Sequence, residues 1–424
     1  MKHDNLGQNV DFRKLWLGKL VSAFGSQISS MAIYYVALLV LKAGPEQLGW
    51  LTAAGSLPYL FVSLFAGVWV DRLRRRPLLI AADLGRAVLL ASIPLAASFG
   101  LLTFGQLLLV APLVGTLTIL FNVAEQAYLP SVVERGQLVA ANSRLAASDA
   151  AAEVGGPAVG GVLVSLLTAP FTILLDVASF VFSAACFWLV RKPEPAAVLR
   201  DEQSNLWREI GAGLRLVGSN QIVRAITLSM ATSALFGNFI GTLYTYYAIH
   251  DLGLDPAAVG VVIGVGGASA LLGTLLVGPL SRRYPLGKLM IGCMVAHRLV
   301  QLTIPLAGGP PPLAFAIMLI GQIADVFGTV YMINEVSLRQ SVVPDHLLGR
   351  VNASVNFLVG GLVPVGALLG GWLGQHLGAR PTLWLATLGL LAATLWIIFS
   401  PIRNLVEQPG LVEEKQVVPA TFVG

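Results

Sequence analysis

The residues most able to do chemistry in this 424-residue chain are carboxylates inside long apolar stretches. Asp325 lies halfway along one stretch, one helical turn after Gln322, and Glu153 lies near the middle of another, one turn after Asp149. A charge at the centre of a membrane-spanning helix costs on the order of 2.5–3.5 kcal/mol, so such a residue is functional by default. We therefore interpret Asp325, Glu153 and Asp149 as candidate proton carriers. Contact with a cationic ligand, or a purely structural hydrogen bond, is the alternative.

Other ionisable groups at membrane depth are expected to be paired. Asp83 and Arg86 are three residues apart in one predicted helix and can pair on its surface. Arg298, beside His297, lies at the corresponding depth later in the chain, where one of the two can neutralise a neighbouring acid. We predict intramembrane charge pairs involving Asp83, Arg86 and Arg298, and we expect Glu125 to hold a basic loop in place.

The composition requires a lipid environment for most of the chain. Hydrophobic residues make up 56% and charged residues 12%, with a mean hydropathy of +0.77, whereas a soluble domain is about 25% charged. The net charge of +5 therefore does not indicate nucleic acid. Cys186 and Cys293 lie inside apolar stretches and are expected to be buried hydrophobes, so neither a disulfide nor a metal or cofactor site is predicted.

Twelve stretches have the length of about 20 apolar residues that a spanning helix needs. The predicted spans are Leu20–Leu41, Leu48–Val70, Leu78–Leu102, Leu107–Ala127, Leu145–Leu167, Phe171–Val190, Ala225–Ile249, Val259–Leu280, Leu289–Ala307, Leu313–Ile333, Val351–Leu373 and Thr382–Phe399. The sequence thus predicts an all-α membrane protein.

Basic residues are concentrated in alternate connections. The loops around 72–76, 191–224 and 282–288 carry 13 of the 27 lysines and arginines, and we call their side of the protein the arginine-rich end. The opposite, arginine-poor end has only Lys42 and Arg380 as basic residues. Because cytoplasmic loops keep positive charge, both termini are predicted to be cytoplasmic in a plasma membrane or bacterial inner membrane.

The chain contains an internal repeat. Recurring positions, at offsets of 210 to 212 residues, include Pro45 with Pro256, Gly49 with Gly260, Tyr34-Tyr35 with Tyr246-Tyr247 and Asn142 with Asn352. An even number of helices in each copy makes the repeats parallel, about an axis along the membrane normal. Such repeats favour alternating access to a central site near the bilayer midplane.

The repeat predicts four segments. Residues 1–190 and 224–402 form two six-helix bundles, residues 191–223 form a cytoplasmic linker, and residues 403–424 form a cytoplasmic tail. Within the linker, Trp207–Val217 has apolar residues at helical spacing and is predicted to lie on the membrane surface.

The second loop resembles a motif of the major facilitator superfamily, over a chain that resembles that superfamily throughout. The stretch reads Gly67-Val-Trp-Val-Asp71-Arg72-Leu-Arg-Arg75-Arg76, with Arg74 where the motif has Gly. The second copy, after Gly278, lacks the Asp. The resemblance implies a latch that stabilises one conformation, made by Gly67, Asp71, Arg72, Arg75 and Arg76; charge that only fixes topology is the alternative.

The fifth span resembles a motif associated in this superfamily with exporters that exchange substrate for protons. It reads Gly156-Pro157-Ala-Val-Gly160-Gly161, with Ala152 replacing an upstream Gly. Glycine and proline here also permit a close, bendable contact with a helix of the other half, so packing alone is the alternative. The eleventh span keeps glycines at Gly366, Gly370 and Gly371 without the proline.

Several shorter segments are similar to the branch containing the enterobactin exporter and macrolide efflux proteins. They include Phe12–Trp16, Ala82–Arg86, Leu175–Phe180 and the linker Trp207–Arg224. This similarity implies export of an amphipathic drug, macrolide or siderophore. We expect the protein to be a monomer in the lipid bilayer.

Aromatic and amide side chains suit an amphipathic ligand, because apolar faces bury it and a few polar groups orient it. The predicted cavity-lining residues are Gln27, Tyr35, Tyr59, Phe121, Asn122, Phe236, Asn238, Phe239, Gln322 and Asn356.

Four functions are considered as interpretations of the sequence. Proton-coupled export is favoured, driven by the proton gradient without a cofactor. Uptake or facilitated diffusion of a sugar or lipid would show no pH dependence. A membrane enzyme is disfavoured because no Walker motif, Gly-x-Ser-x-Gly elbow or His-Glu-x-x-His site occurs. A receptor would bind its ligand without flux.

Overall fold

The computed structural model describes residues 6–192, 211 and 215–409; of Gly7, Ser63, Leu64, Gly67, Val68, Asp71, Asp345 and His346 it describes the backbone only. Helices joined by short connections account for these residues, and no strand occurs among them. The long helices are α1 (Val10–Tyr35), α2 (Pro45–Arg72), α3 (Arg75–Ser98), α4 (Phe104–Val132), α5 (Leu138–Leu167), α6 (Ala169–Trp188), α7 (Gln221–Tyr246), α8 (Pro256–Arg283), α9 (Leu286–Gln301, extended by Thr303–Leu306), α10 (Pro311–Ile323 and Asp325–Val342), α11 (Asp345–Leu377) and α12 (Ala379–Ile398).

The fold is an all-α membrane protein. Among the described residues, 11 stretches are long and apolar enough to cross a membrane. The 28-residue helix α2, several of whose side chains lie outside the description, is not one of them and accounts for the remaining predicted span. Gly- and Ala-rich helices of this kind associate through close packing.

Equivalent helices make equivalent contacts in two bundles. In the first bundle α1 packs on α5 and α6, and α3 packs on α4 and α6. In the second, α7 packs on α11 and α12, and α9 packs on α10 and α12. Between the bundles, α5 packs on α8 and α11 packs on α2. The two six-helix bundles are therefore related by the pseudo-symmetry that the repeat predicts.

The first helix of each bundle ends in the same irregular way. After α1, Val36–Val40 forms a π turn, and after α7, Tyr247–Asp251 forms another, 211 positions later. The first π turn follows Tyr34-Tyr35, and the second begins within the repeated pair, at Tyr247. Such turns are rare in proteins, and those that occur are often found at functional sites. Here both lie at the arginine-poor end.

The first helix begins ten residues earlier than the predicted Leu20. Asn9 caps it, because its side-chain oxygen accepts a hydrogen bond from the backbone N–H of Phe12 at 3.0 Å. A side-chain cap of this kind satisfies an N–H that the first turn would leave unpaired. The polar first turns therefore belong to the helix, and Lys19 lies within it.

The predicted linker lies largely outside the described residues, although Arg215–Ser219 is helical. Its surface helix and the four segment boundaries accordingly stay predictions.

Candidate functional site

The two bundles close against each other at the arginine-poor end. A Cβ on Gly161 of α5 would lie 3.0 Å from the Cα of Gly260 of α8. The repeat-related pair behaves alike, because a Cβ on Gly371 of α11 would lie 2.9 Å from the Cα of Gly49 of α2. Only glycine permits backbones to approach this closely. Two symmetric glycine crossings therefore join the bundles.

A tyrosine adds a polar contact to this closure. The hydroxyl of Tyr34 donates a hydrogen bond to the backbone carbonyl of Thr242 in the other bundle. Tyr35, which we predicted to line the cavity, is instead fully buried, with its hydroxyl 3.5 Å from the carbonyl of Pro256. Helical geometry turns adjacent residues about 100° apart, so Tyr35 points into the bundle contact.

The helix contact ends where the candidate carboxylates begin. Along α5 and α8 the close approach extends to Gly267, where a Cβ would lie 2.9 Å from the Cα of Val154. The preceding residue on α5, Glu153, is exposed and lines a cavity in each bundle. The space between the bundles therefore opens from Glu153 toward the arginine-rich end.

The first-bundle cavity has a volume of about 570 Å³ and lies among α1, α3, α4 and α5. It contains Glu153 and Asp149 together with three predicted lining residues, Gln27, Phe121 and Asn122. Asp149 is 53% exposed, and Asn142, near the start of α5, is also exposed. The cavity thus reaches the arginine-rich end.

Lys19 supplies a positive charge in this cavity that sequence reasoning missed. Its Nζ lies 3.0 Å from a carboxylate oxygen of Glu125 and 3.5 Å from one of Asp149. Glu125 therefore pairs with a helix residue and not with a basic loop as we predicted. Lys19 precedes Gln27 by eight residues, so the two residues share one face of α1. Lys19 could have been identified in the sequence by extending the first predicted helix to the Asn9 cap.

Asp83 and Arg86 lie together, as the i, i+3 spacing predicts. The Arg86 guanidinium contacts the Asp83 carboxylate, and its Cζ lies 4.4 Å from the ring centre of Phe121 and 4.1 Å from that of Phe180. A cation over two aromatic faces gains attraction from both. The charge of Arg86 is thereby held at the cavity wall, against the aromatic residue Phe121.

The second-bundle cavity, of about 430 Å³, has Asp325 in its wall. A carboxylate oxygen of Asp325 lies 3.1 Å from Nε2 of His297 on α9. Arg298 does not pair with a carboxylate among the described contacts: it donates to Gln301 at 2.9 Å and to Ser233 at 3.1 Å. The carboxylate contact expected of Arg298 is therefore made by its neighbour His297.

Nε2 of His297 lies near both a hydrogen-bond acceptor, the carboxylate of Asp325, and a hydrogen-bond donor, the amide of Gln301. The amide nitrogen of Gln301 lies 3.2 Å from His297 Nε2, and it points there because the amide oxygen accepts from Arg298. A neutral imidazole nitrogen either donates or accepts. If Nε2 carries hydrogen it donates to Asp325; if it is bare it accepts from Gln301.

The helix that carries Asp325 is interrupted just before that residue, at Ala324. We predicted one uninterrupted span over Leu313–Ile333, but α10 stops at Ile323 and resumes at Asp325. Gln322, just before the break, donates to the hydroxyl of Tyr244 at 2.8 Å. A Cβ on Gly266 of α8 would lie 2.7 Å from the Asp325 carboxylate, so a glycine leaves room for that group.

The remaining predicted lining residues lie elsewhere. Tyr59 lines a separate cavity of about 510 Å³ near the arginine-poor end, where Gln27 also contributes. Phe236 and Phe239 pack on each other, with ring centres 5.4 Å apart, and against the α12 and α11 glycines. Asn238 donates to the carbonyl of Ala234 at 2.7 Å. These three α7 residues serve helix packing, whereas Asn356 is exposed on α11 and its role stays a prediction.

The predicted latch is only partly described. Gly67 and Asp71 are described by their backbone only. Arg72 is exposed, and Arg75 is half-buried. Arg76 donates from Nε to the carbonyl of Phe187 at 3.0 Å and also contacts that of Trp188. Arg76 thus ties the start of α3 to the end of α6 within one bundle.

The fifth-helix motif faces two directions. Gly156 and Gly160 lie against Gln27 and Ile28 of α1 in the same bundle, whereas Gly161 and the carbonyl of Pro157 lie against Gly260 of α8. The expected contact between halves is therefore made by one edge of the motif, and the other edge packs α5 on α1.

Comparison with known proteins gives concordant matches over almost the whole chain. The sequence profile of the transmembrane secretion effector family matches residues 5–418. The multidrug efflux pump Tap of Mycolicibacterium fortuitum is 26% identical over 355 residues, which cover 82% of this chain and 85% of that protein. Macrolide efflux protein A of Streptococcus pyogenes is 24% identical over 399 residues, covering 93% and 96%.

Solved structures share the fold at low identity. A bacterial homologue of the iron transporter ferroportin in an inward-facing state has a TM-score of 0.68 and 19% identity, covering 92% of this chain and 98% of that one. The nucleoside transporter NupG has a TM-score of 0.69 and 14% identity, covering 93% and 98%.

Proposed function

This chain belongs to the transmembrane secretion effector family of major facilitator transporters, and on that basis we propose that it exports an amphipathic small molecule in exchange for protons. It is a multi-pass membrane transporter. We place the arginine-rich end in the cytoplasm of a plasma membrane or bacterial inner membrane, with both termini on that side, because basic loops are retained there.

The position of Glu153 is the observation that carries the proposal. This carboxylate lines both cavities at the point where the contact between bundles ends. The cavities, of about 570 and 430 Å³, fall in the range of about 300–1,000 Å³ typical of sites for drug-sized ligands. Aromatic and amide groups, such as Phe121 and Asn122, suit an amphipathic molecule. Relatives named for multidrug and macrolide efflux support export as the direction.

Asp325 is the proposed proton carrier of the second bundle. When its carboxylate is charged, it accepts a hydrogen bond from Nε2 of His297. When Asp325 gains a proton, the imidazole stays neutral by carrying its own hydrogen on Nδ1, and the bare Nε2 then accepts from the amide of Gln301, so Nε2 is hydrogen-bonded in either state. Protonation then removes a charge from the cavity wall without leaving a buried polar atom unpaired, which would cost about 1–3 kcal/mol.

Glu153 and Asp149 are the proposed proton path of the first bundle. They are four residues apart on one face of α5, with Asp149 nearer the arginine-rich end. Lys19 holds Asp149 and Glu125 by charge, so it competes with a proton for the same carboxylates. The same carboxylate can thereby interact first with a substrate that leaves the cavity and then with a proton that enters it.

The energy source is the proton gradient, and no cofactor is needed. An inward proton supplies roughly 2.3 kcal/mol per 100 mV of potential. Residues 1–190 and 224–402 rock as two bundles about the glycine crossings, with residues 191–223 as the linker and residues 403–424 as a tail. We propose a monomer in the bilayer whose partners are protons and substrate, not nucleic acid.

Flux in proteoliposomes with an imposed pH gradient tests this function. The panel contains a macrolide, a cationic dye and a catecholate siderophore, with protein-free liposomes and an ionophore that collapses the gradient as controls. We expect at least one compound to accumulate against its gradient only while the pH difference lasts. Counterflow that ignores the pH difference would contradict the proposal and indicate facilitated diffusion.

A further inference from the structure

A groove on the outside of the first bundle is separate from both cavities. It has a volume of about 670 Å³ and lies between the start of α3 and the end of α6, at the arginine-rich end. Its apolar wall is open, because Leu84 is 44% and Trp188 is 69% exposed. Exposed apolar side chains on a spanning helix face lipid, so the groove opens to the membrane and not to the substrate path.

One end of the groove is positively charged. Arg74, exposed at the N-cap of α3, and Arg76 both line it. Arg76 is fixed in place by its hydrogen bonds to the carbonyls of Phe187 and Trp188. None of the residues described as lining the groove is a carboxylate. The exposed guanidinium of Arg74 therefore complements an anion, since a guanidinium matches the geometry of phosphate oxygens.

The other end of the groove is apolar, and the groove extends along α3 over a distance close to the thickness of hydrocarbon in one leaflet. Ile80 and Leu84 follow on one face of α3, and Trp188 lies opposite on α6. Leu84 is eight residues beyond Arg76, which is about 12 Å along a helix. One leaflet of a bilayer contains about 15 Å of hydrocarbon. A tryptophan at such a boundary sits at the headgroup level.

We propose that this groove binds an anionic phospholipid of the surrounding membrane. Its phosphate lies against Arg74 and Arg76, and one acyl chain follows Ile80 and Leu84 past Trp188. Basic pockets between spanning helices on the cytoplasmic side bind acidic headgroups in this way. The repeat equivalents of Arg74 and Arg76, at offset 211, are Pro285 and Gly287, so the site belongs to the first bundle alone.

Native mass spectrometry of the purified full-length protein tests the site by titration with two lipids of identical chains. We expect dioleoyl phosphatidylglycerol to bind more tightly than dioleoyl phosphatidylcholine. Arg74→Gln should weaken phosphatidylglycerol binding about fivefold, since each arginine near an acidic surface contributes about 1 kcal/mol. Arg76 is left intact because its backbone hydrogen bonds hold α3 on α6.

Arg283→Gln is the matched control, because Arg283 also ends a helix at the arginine-rich end but lies in the second bundle. It should leave phosphatidylglycerol binding unchanged. Equal binding of the two lipids, or equal weakening by Arg74→Gln and Arg283→Gln, would overturn the proposed site. General surface charge would then be sufficient to explain lipid binding.

A separate experiment with brominated lipids in vesicles tests where the phospholipid binds. Brominated-chain phosphatidylglycerol should quench the part of the tryptophan emission that Trp188→Phe removes, and it should do so less in Arg74→Gln. Quenching of that emission by brominated phosphatidylcholine to the same extent would contradict a headgroup-selective site.

Discussion

Asp325 and His297 face each other across α9 and α10, with the carboxylate 3.1 Å from Nε2 of the imidazole. The carboxylate is 33% exposed and the imidazole 14%. The acid is therefore reachable from the cavity, while its partner is the more enclosed of the two. A break in α10 at Ala324 sets Asp325 at the start of the second helical segment. Solvent access to Asp325, and the alternative partner that Gln301 offers to His297, support the proposal that Asp325 gains and loses a proton in each cycle.

Asp325→Asn tests that assignment. The amide cannot carry a proton, so export driven by a pH gradient should be lost, while exchange of substrate between the two sides persists. Flux in proteoliposomes measures both. Asp251→Asn, at the arginine-poor end, is the control and should pump normally. If Asp325→Asn pumps like the parent protein, Asp325 is not the proton carrier.

Gly161→Val tests the crossing between bundles. A side chain at this position would press on the backbone of Gly260, and overpacking costs roughly 1–3 kcal/mol, or about 5- to 150-fold in a conformational equilibrium. We expect a shift away from closure at the arginine-poor end, measured by labelling of a cysteine introduced there. Gly292→Val, where a Cβ would meet no atom within 4 Å, should change nothing. Unaltered labelling in Gly161→Val would refute the crossing as a point of closure.

Tyr34→Phe removes the hydrogen bond to the Thr242 carbonyl and little else. A hydrogen bond contributes about 0.5–1.5 kcal/mol net, so the ratio of protein closed to protein open at the arginine-poor end should fall about two- to tenfold. The same cysteine labelling detects it. Tyr284→Phe, an exposed tyrosine at the opposite end, serves as control. No difference between the two variants would mean that the Tyr34 contact does not hold the closed state.

Lys19→Met tests the charge cluster of the first bundle. It leaves Glu125 buried without its cation, and breaking a buried pair in this way costs about 3–5 kcal/mol. The thermal unfolding temperature in detergent should therefore fall. Adding Glu125→Gln should restore most of the loss, because the uncompensated charge is gone. A double variant as unstable as Lys19→Met alone would show that the Lys19 side chain matters for its packing and not its charge.

Periodicity and charge predicted the helices, the repeat and the carboxylates at membrane depth. These features depend on properties that each residue carries by itself, such as the cost of placing Asp325 in an apolar span. The i, i+3 pair of Asp83 and Arg86 was predictable for the same reason, since both residues share one helix.

Features that depend on tertiary packing were not predictable. Nothing in the apolar run around Ala324 marks a break, because no proline or glycine occupies that position. Tyr35 and Phe239 have the composition of cavity-lining residues, yet the facing helices bury them. Lys19 was missed because a hydropathy boundary at Leu20 excluded it, whereas the Asn9 cap begins the helix earlier.

The most direct test of the coupled exchange is proton movement driven by substrate alone. Proteoliposomes are loaded with an exported compound and with a pH-sensitive dye, and are diluted into compound-free buffer of the same pH. The proposed exchange predicts that the lumen acidifies as the compound leaves, and that Asp325→Asn abolishes the acidification. Departure of the compound at constant luminal pH, in protein that retains Asp325, would contradict it.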